Sequence, residues 1–178
     1  LFAVRAALIP ADDEHRFGHG KAEALAASLE ARLATIAEAS ASRIARPRVY
    51  FEEWDAPMIS GIGWVSELVE IAGGVDIFSK NRTKQAAKDR IVSSDQVIAA
   101  APEIILASWC GKKVRPERIA SRPGWAFLPA VANGRIVEIK SPLILQPGPA
   151  ALTDGLDAIV AEIAAPRPAG DPAVIQKG

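Results

Sequence analysis

The chain has 178 residues, 49% apolar and 24% charged, and its 21 basic residues are balanced by 21 acidic ones. That length makes one domain the default and is enough to bury a real core, roughly 70% of the unfolded surface. The charge balance argues against a nucleic-acid partner and gives no support for an anionic membrane surface, and no apolar run approaches the ~20 residues of a membrane span.

Residues 1–19 show no period, and Pro10 followed by Asp12, Asp13 and Glu14 reads as a turn and a solvated face. His15 and His19 have a helical metal-ligand spacing, but Gly18 and the lack of a third ligand favour a surface pair, so no metal site is assigned. From Gly20, Ala22, Leu25, Ala26, Leu29, Leu33 and Ile36 recur at helical spacing and predict one long helix over about 20–43. Pro47 cannot continue it. Val49-Tyr50-Phe51 reads as a short buried strand ending near Glu52 and Glu53, and residues 55–63 read as a loop. A helix with Val65, Leu68, Val69 and Ala72 on one face follows and stops at Gly73-Gly74. Residues 79–90 read as a basic surface loop and Ile91-Val92 as an extended segment. Ser93 or Ser94 caps a helix that runs to Ala101. Residues 104–107 form the clearest buried strand, 116–120 a short helix and 135–139 a further strand after the Asn133-Gly134 turn. Pro149 opens a last amphipathic helix carrying Leu152, Leu156, Ile159, Val160 and Ile163. Strands alternating with helices give the fold class: α/β, a layered domain with a mainly parallel central sheet flanked by helices, preceded by one long helix.

In such sheets ligands sit at the carboxyl ends of the strands. Three loops converge there: residues 52–64, 108–113 and 140–148. The four tryptophans, Trp54, Trp64, Trp109 and Trp125, lie in or near this set. Each alone reads equally well as a core aromatic; together, beside Gly and Pro, they suggest flat apolar surfaces for a large ring-bearing ligand.

Catalytic readings are weaker: an α/β enzyme using Cys110, its thiol activated by Lys112 and Lys113, is the alternative, and no catalytic residue is assigned. Cys110 is the only cysteine, so disulfide exchange cannot run within the chain. No Cys–His pair is evident, and a packed thiol near the ligand is the expectation for Cys110. Residues 60–63 faintly resemble a phosphate loop without its third glycine and its lysine. Glu52 and Glu53 are adjacent and point to opposite faces of an extended strand, so they are not a paired acid and base. Arg115, Arg118 and Arg122 read as an exposed helix face, with an anion-binding cluster as the alternative.

The run RPRVYFEEWDAPMISGIGWVSELVEIAGGVDIF resembles the opening of the C-terminal lobe of cobalamin and ferric-siderophore substrate-binding proteins of ABC importers. The stretches Ala101-Pro102-Glu103-Ile104-Ile105, Gly124-Trp125 with Pro129-Ala130-Val131, Gly134-Arg135-Ile136 and Pro149-Ala150-Ala151-Leu152 continue the match in order. SWCGKK, EIKSP and ILQPGPAALTDGL look most like a cobalamin-binding branch.

The resemblance implies a periplasmic binder, not an enzyme. It would take cobalamin, or alternatively a ferric siderophore or heme, noncovalently in a cleft between two lobes, and would dock on a membrane permease. It needs no cofactor beyond that ligand. The organisation it implies is an irregular segment 1–19, a linker helix 20–45, a substrate-binding lobe 46–165 and a flexible tail 166–178. Placed on the strand-end loops, the expected ligand contacts are Trp54, Trp64, Trp109, Cys110 and Gln146. The family's docking carboxylate falls at Leu145, with Glu138 the nearest carboxylate upstream. Family members carry an N-terminal lobe before the linker helix, whereas nineteen residues stand here. The chain is therefore read as a fragment or as one half of a pair.

Overall fold

The computed structural model describes residues 19–166. The expectations for residues 1–18, His15 among them, and for 167–178 fall outside it.

Helix α1 (His19–Ala41) realises the alanine-rich helical run. Leu29 and Leu33 are buried and Ile36 packs beside them, whereas Leu25, also on the predicted stripe, is exposed. Strand β1 (Arg48–Asp55) runs on past the predicted end near Glu52 and Glu53. It continues because β2 (Met58–Ser60), inside the segment read as a loop, folds back antiparallel on it. Three residues are too few to show a strand period, and Pro57 reads as a breaker. The turn between them holds a cis Ala56–Pro57 bond.

Helix α2 (Gly63–Ile71) ends where predicted. Gly73 takes φ +92° there, and a Cβ on Gly74 would meet Val49 and Ile163 at 2.9 Å, so both glycines are required. Strand β3 (Val75–Asp76) lies parallel to the start of β1. Two 3₁₀ turns, Ser79–Asn81 and Ala87–Arg90, lead to α3 (Ser94–Ala100). Ser93 is its N-cap, in a reciprocal capping box with Gln96. Strand β4 (Ile104–Ala107) and helix α4 (Pro116–Ala120) fall on the predicted residues. A 3₁₀ turn (Trp125–Phe127), α5 (Pro129–Ala132), β5 (Ile136–Glu138) and α6 (Ser141–Ile144) follow. The last helix starts as a π turn (Ala151–Gly155) and becomes α7 (Leu156–Ala164).

The sheet order is β2–β1–β4–β5, with β3 also against β1. Strands β3, β4 and β5 join in parallel, and β2 alone is antiparallel. Side chains alternate across the sheet. Val49, Phe51, Ile104 and Leu106 form one core with residues of α1, α2 and α7. Tyr50, Ile105 and Ala107 form the other with Trp109, Ile119, Trp125 and Val97. The domain is thus an α/β layered one with a mostly parallel sheet.

Candidate functional site

Because β1, β4 and β5 run in parallel, their carboxyl ends emerge at one edge. Backbone pairing extends past the strands: Ser108 N–H donates to Glu52 O and Ile139 N–H to Ala107 O, both at 2.9 Å. A shift in register between Glu52 and Trp54 marks an irregularity in β1 at this edge. Such bulges re-aim side chains.

The two adjacent glutamates do point to opposite faces, and each finds its own arginine. Glu52 is fully buried, and Arg122 grips it with two hydrogen bonds of 2.5 and 2.9 Å. The Trp109 Nε1–H donates to the same carboxylate at 3.1 Å. The Arg122 guanidinium lies over Trp125, 4.6 Å from the ring centre. On the other face, Glu53 accepts from Arg90 at 2.7 and 2.9 Å and from the Ile62 N–H at 2.9 Å. Arg90 is buried, although it closes the run read as a surface loop. Burial first, and the nearby Glu52 carboxylate second, hold the Tyr50 phenol well above its usual pKa.

Beyond this pair of clamps lies a more open cluster. Asp55, with 1% side-chain exposure, is paired with Lys112 at 3.1 Å and Arg118 at 3.2 Å. Its partners are 42% and 53% exposed. The Lys112 ammonium also sits 5.3 Å from the Trp54 ring centre and 5.1 Å from that of Trp109. Trp54 is half-buried and its Nε1–H donates to Ala56 O at 3.1 Å. Trp109 is buried, with 1% exposure. Cys110, expected as a packed thiol, is exposed, because it opens a turn whose next residue, Gly111, takes φ +68°.

The structure therefore gathers Trp54, Trp109 and Cys110 at the ends of β1 and β4. Trp64 stands on α2, where its Nε1–H donates to Ile144 O at 3.0 Å and so ties α2 to α6. Gln146 follows α6 and is exposed. Trp125 is a core residue whose Nε1–H donates to Ser94 Oγ at 2.7 Å. Glu138, at the end of β5, accepts from Lys140 at 2.6 Å, the main reason its pKa lies below the usual range.

The arginines read as an exposed helix face need correction. Arg115 and Arg118 are exposed, but Arg122 turns inward to Glu52. Helix α4 ends at Ala120, so Arg122 stands beyond it and does not share the helix face on which Arg118 lies. Asp55 and Lys112 were not singled out as partners. Their pairing spans 57 positions and has no local signature. Among the described residues no group of three His, Cys, Asp or Glu side chains could hold a metal ion.

A family model for the periplasmic binding proteins matches residues 19–143. The fold is similar to that of the periplasmic heme-binding protein RhuT from Roseiflexus sp. RS-1, with TM-score 0.63 and 24% identity over 81% of this chain and 57% of that one. It is similar to the vitamin B12 binding protein BtuF of Vibrio cholerae, with TM-score 0.59 and 23% identity over 88% of this chain and 55% of the other. IsdE of S. aureus, complexed with heme, gives TM-score 0.67 and 15% identity over 92% of this chain and 64% of its own. The chain thus spans between half and two thirds of these proteins. A 27-residue stretch is also 74% identical to the cation-efflux pump FieF of Yersinia pestis, covering 15% of this chain and 9% of the pump. So short a match carries no fold or function.

Proposed function

Because the chain belongs to the periplasmic binding protein family, we propose that it is the C-terminal ligand-binding lobe of an ABC importer's substrate-binding protein and that it takes a corrinoid such as cobalamin. The observation that carries this reading is the cluster of Trp54, Trp109 and Cys110 at the carboxyl edge of a parallel sheet, the edge where such sheets bind ligands. Trp54 offers part of its ring to that edge, and Trp109 backs it. Trp64 holds α6, and with it the Gln146 loop, as the second part of the wall. Binding is noncovalent: the ring face of the ligand lies on indole surface, and loop polar groups meet its edge. A second lobe would close the cleft, and the loaded protein would deliver its ligand to a permease in the membrane. No described helix is itself long and apolar enough to cross one.

Heme or a ferric siderophore is the second reading. The exposed Lys112, Lys113, Arg118 and Lys140 at this edge favour a ligand with carboxylate or other anionic groups.

Calorimetric titration of the chain with cyanocobalamin, hemin and a ferric hydroxamate siderophore tests the proposal. Saturable heat with cyanocobalamin alone is expected. Trp54→Ala should weaken it by about 30-fold, the roughly 2 kcal/mol of a buried aromatic anchor. Heat with hemin or the siderophore instead replaces the ligand. No heat with any of them removes the reading.

A further inference from the structure

We infer that Lys112 is a movable cover over a ligand surface made by Trp109 and Asp55, and that a flat macrocycle with hydrogen-bond acceptors at its rim displaces it. The inference rests on the reading of this edge as the ligand wall. Trp109 has 1% exposure and the Asp55 side chain 1%, yet the ammonium near both belongs to a side chain that is 42% exposed. Trp109 belongs to the core cluster around Tyr50 and Trp125, and toward the edge the half-exposed Lys112 stem brings its ammonium to 5.1 Å from the ring centre.

Three features make this cover removable. Asp55 keeps Arg118 at 3.2 Å when Lys112 leaves, so no buried charge is stranded. Trp109 keeps its bond to Glu52 at 3.1 Å, so its indole N–H stays satisfied and its ring stays in place. The backbone need not move: Lys112 N–H donates to Trp109 O at 3.1 Å, and the space around Gly111 is open. Only the four-carbon stem swings.

What replaces the ammonium must satisfy an indole face, so the ligand is a flat conjugated ring. The displaced ammonium stays near the rim of the site, where it can donate to amide oxygens or carboxylates on the edge of that ring. Lys112 is in this sense a specificity-determining residue as well as a cover.

The test has two arms. In the first, the chain is labelled with 5-fluorotryptophan, and the four fluorine resonances are assigned with single Trp→Phe variants. The H₂O/D₂O isotope shift then reports the exposure of each ring. Lys112→Ala should raise the shift at Trp109 at least threefold and leave Trp125 unchanged, whereas Lys112→Met, of similar length, should keep Trp109 largely covered. An unchanged Trp109 shift in Lys112→Ala overturns the cover. In the second arm, cyanocobalamin and hemin are titrated into both variants. If the cover must be displaced, Lys112→Ala binds the ring more tightly than Lys112→Met, by about fivefold or more, because both lack the ammonium donor and only the shorter side chain leaves the ring uncovered. Equal or weaker binding overturns the displacement while leaving the proposed function standing. No heat from either protein removes the proposed function and the displacement together.

Discussion

Replacing Arg122 by Met should be among the most damaging single changes in the domain, and the geometry says by how much. Glu52 has 0% side-chain exposure and Arg122 15%. Without the guanidinium, the carboxylate keeps only the Trp109 N–H at 3.1 Å among these partners. Breaking a buried pair by removing one member costs about 3–5 kcal/mol, because the other charge stays desolvated. The reverse change is milder. In Glu52→Gln the guanidinium still reaches water and still lies over Trp125 at 4.6 Å, so a loss of about 1–3 kcal/mol is expected. The double variant Glu52→Gln/Arg122→Met leaves no charge behind and should be less damaged than the sum of the singles, by on the order of 2 kcal/mol. Urea unfolding followed by tryptophan fluorescence measures all three. For a domain of this size, Arg122→Met should also lower Tm by roughly 6–20 °C. A larger loss in Glu52→Gln than in Arg122→Met, or two losses that simply add, would show that no stranded carboxylate sets the cost.

Gly155 lies in the π turn, where an added Cβ would stand 2.4 Å from the Leu143 carbonyl oxygen, a backbone atom that cannot yield cheaply. Gly155→Ala should therefore cost about 1–3 kcal/mol, read as a lower urea midpoint, and an unchanged midpoint would show that α6 shifts freely. Asp76 supplies a pH dependence. Burial raises its pKa, against the opposing bonds from Ser66 Oγ–H and Phe78 N–H. A carboxyl raised on folding contributes stability that is complete below the unfolded value of about 3.9 and is lost as pH rises through the folded value. Asp76→Asn removes that slope, so as pH rises above about 4 its urea midpoint should fall less than that of the parent chain. Equal falls in both proteins would assign the slope to another group.

The sheet was legible where burial is complete. Ile104–Ala107 has all four residues buried, and an unbroken apolar run bounded by Glu103 and Ser108 leaves little else for it to be. Helix α4 announced itself through Pro116 at its first turn, and α3 through the reciprocal pair Ser93 and Gln96. What escaped the reading depends on partners distant in sequence. Strand β2 is three residues long and is a strand only through its pairing with the end of β1. Arg90 ends a run of six charged residues between 80 and 90, Asp89 included, and only its approach to Glu53, 37 positions away, buries it. The same holds for the site. That Trp54 and Trp109 share an edge follows from both standing just after parallel strands, but that a lysine lies over both rings does not follow from any spacing.

The two glutamates give the site its mechanical character. In an extended strand, neighbours face opposite sides, and here each side buries a carboxylate held by an arginine from a different part of the chain: Arg122 after α4, and Arg90 before α3. The end of β1 is thereby fixed from both faces, just before the residues that would meet a ligand. Trp109 is fixed by the same carboxylate that Arg122 holds. Such a wall does not have to order itself when a rigid ring arrives, and that saving is what preorganisation contributes to affinity. On the proposed reading the adaptable element at this edge is the Lys112 side chain, whose contacts are an ion pair with the buried Asp55 and two indole faces. Asp55 keeps Arg118 when the lysine leaves, so the exchange need not loosen the clamps beneath.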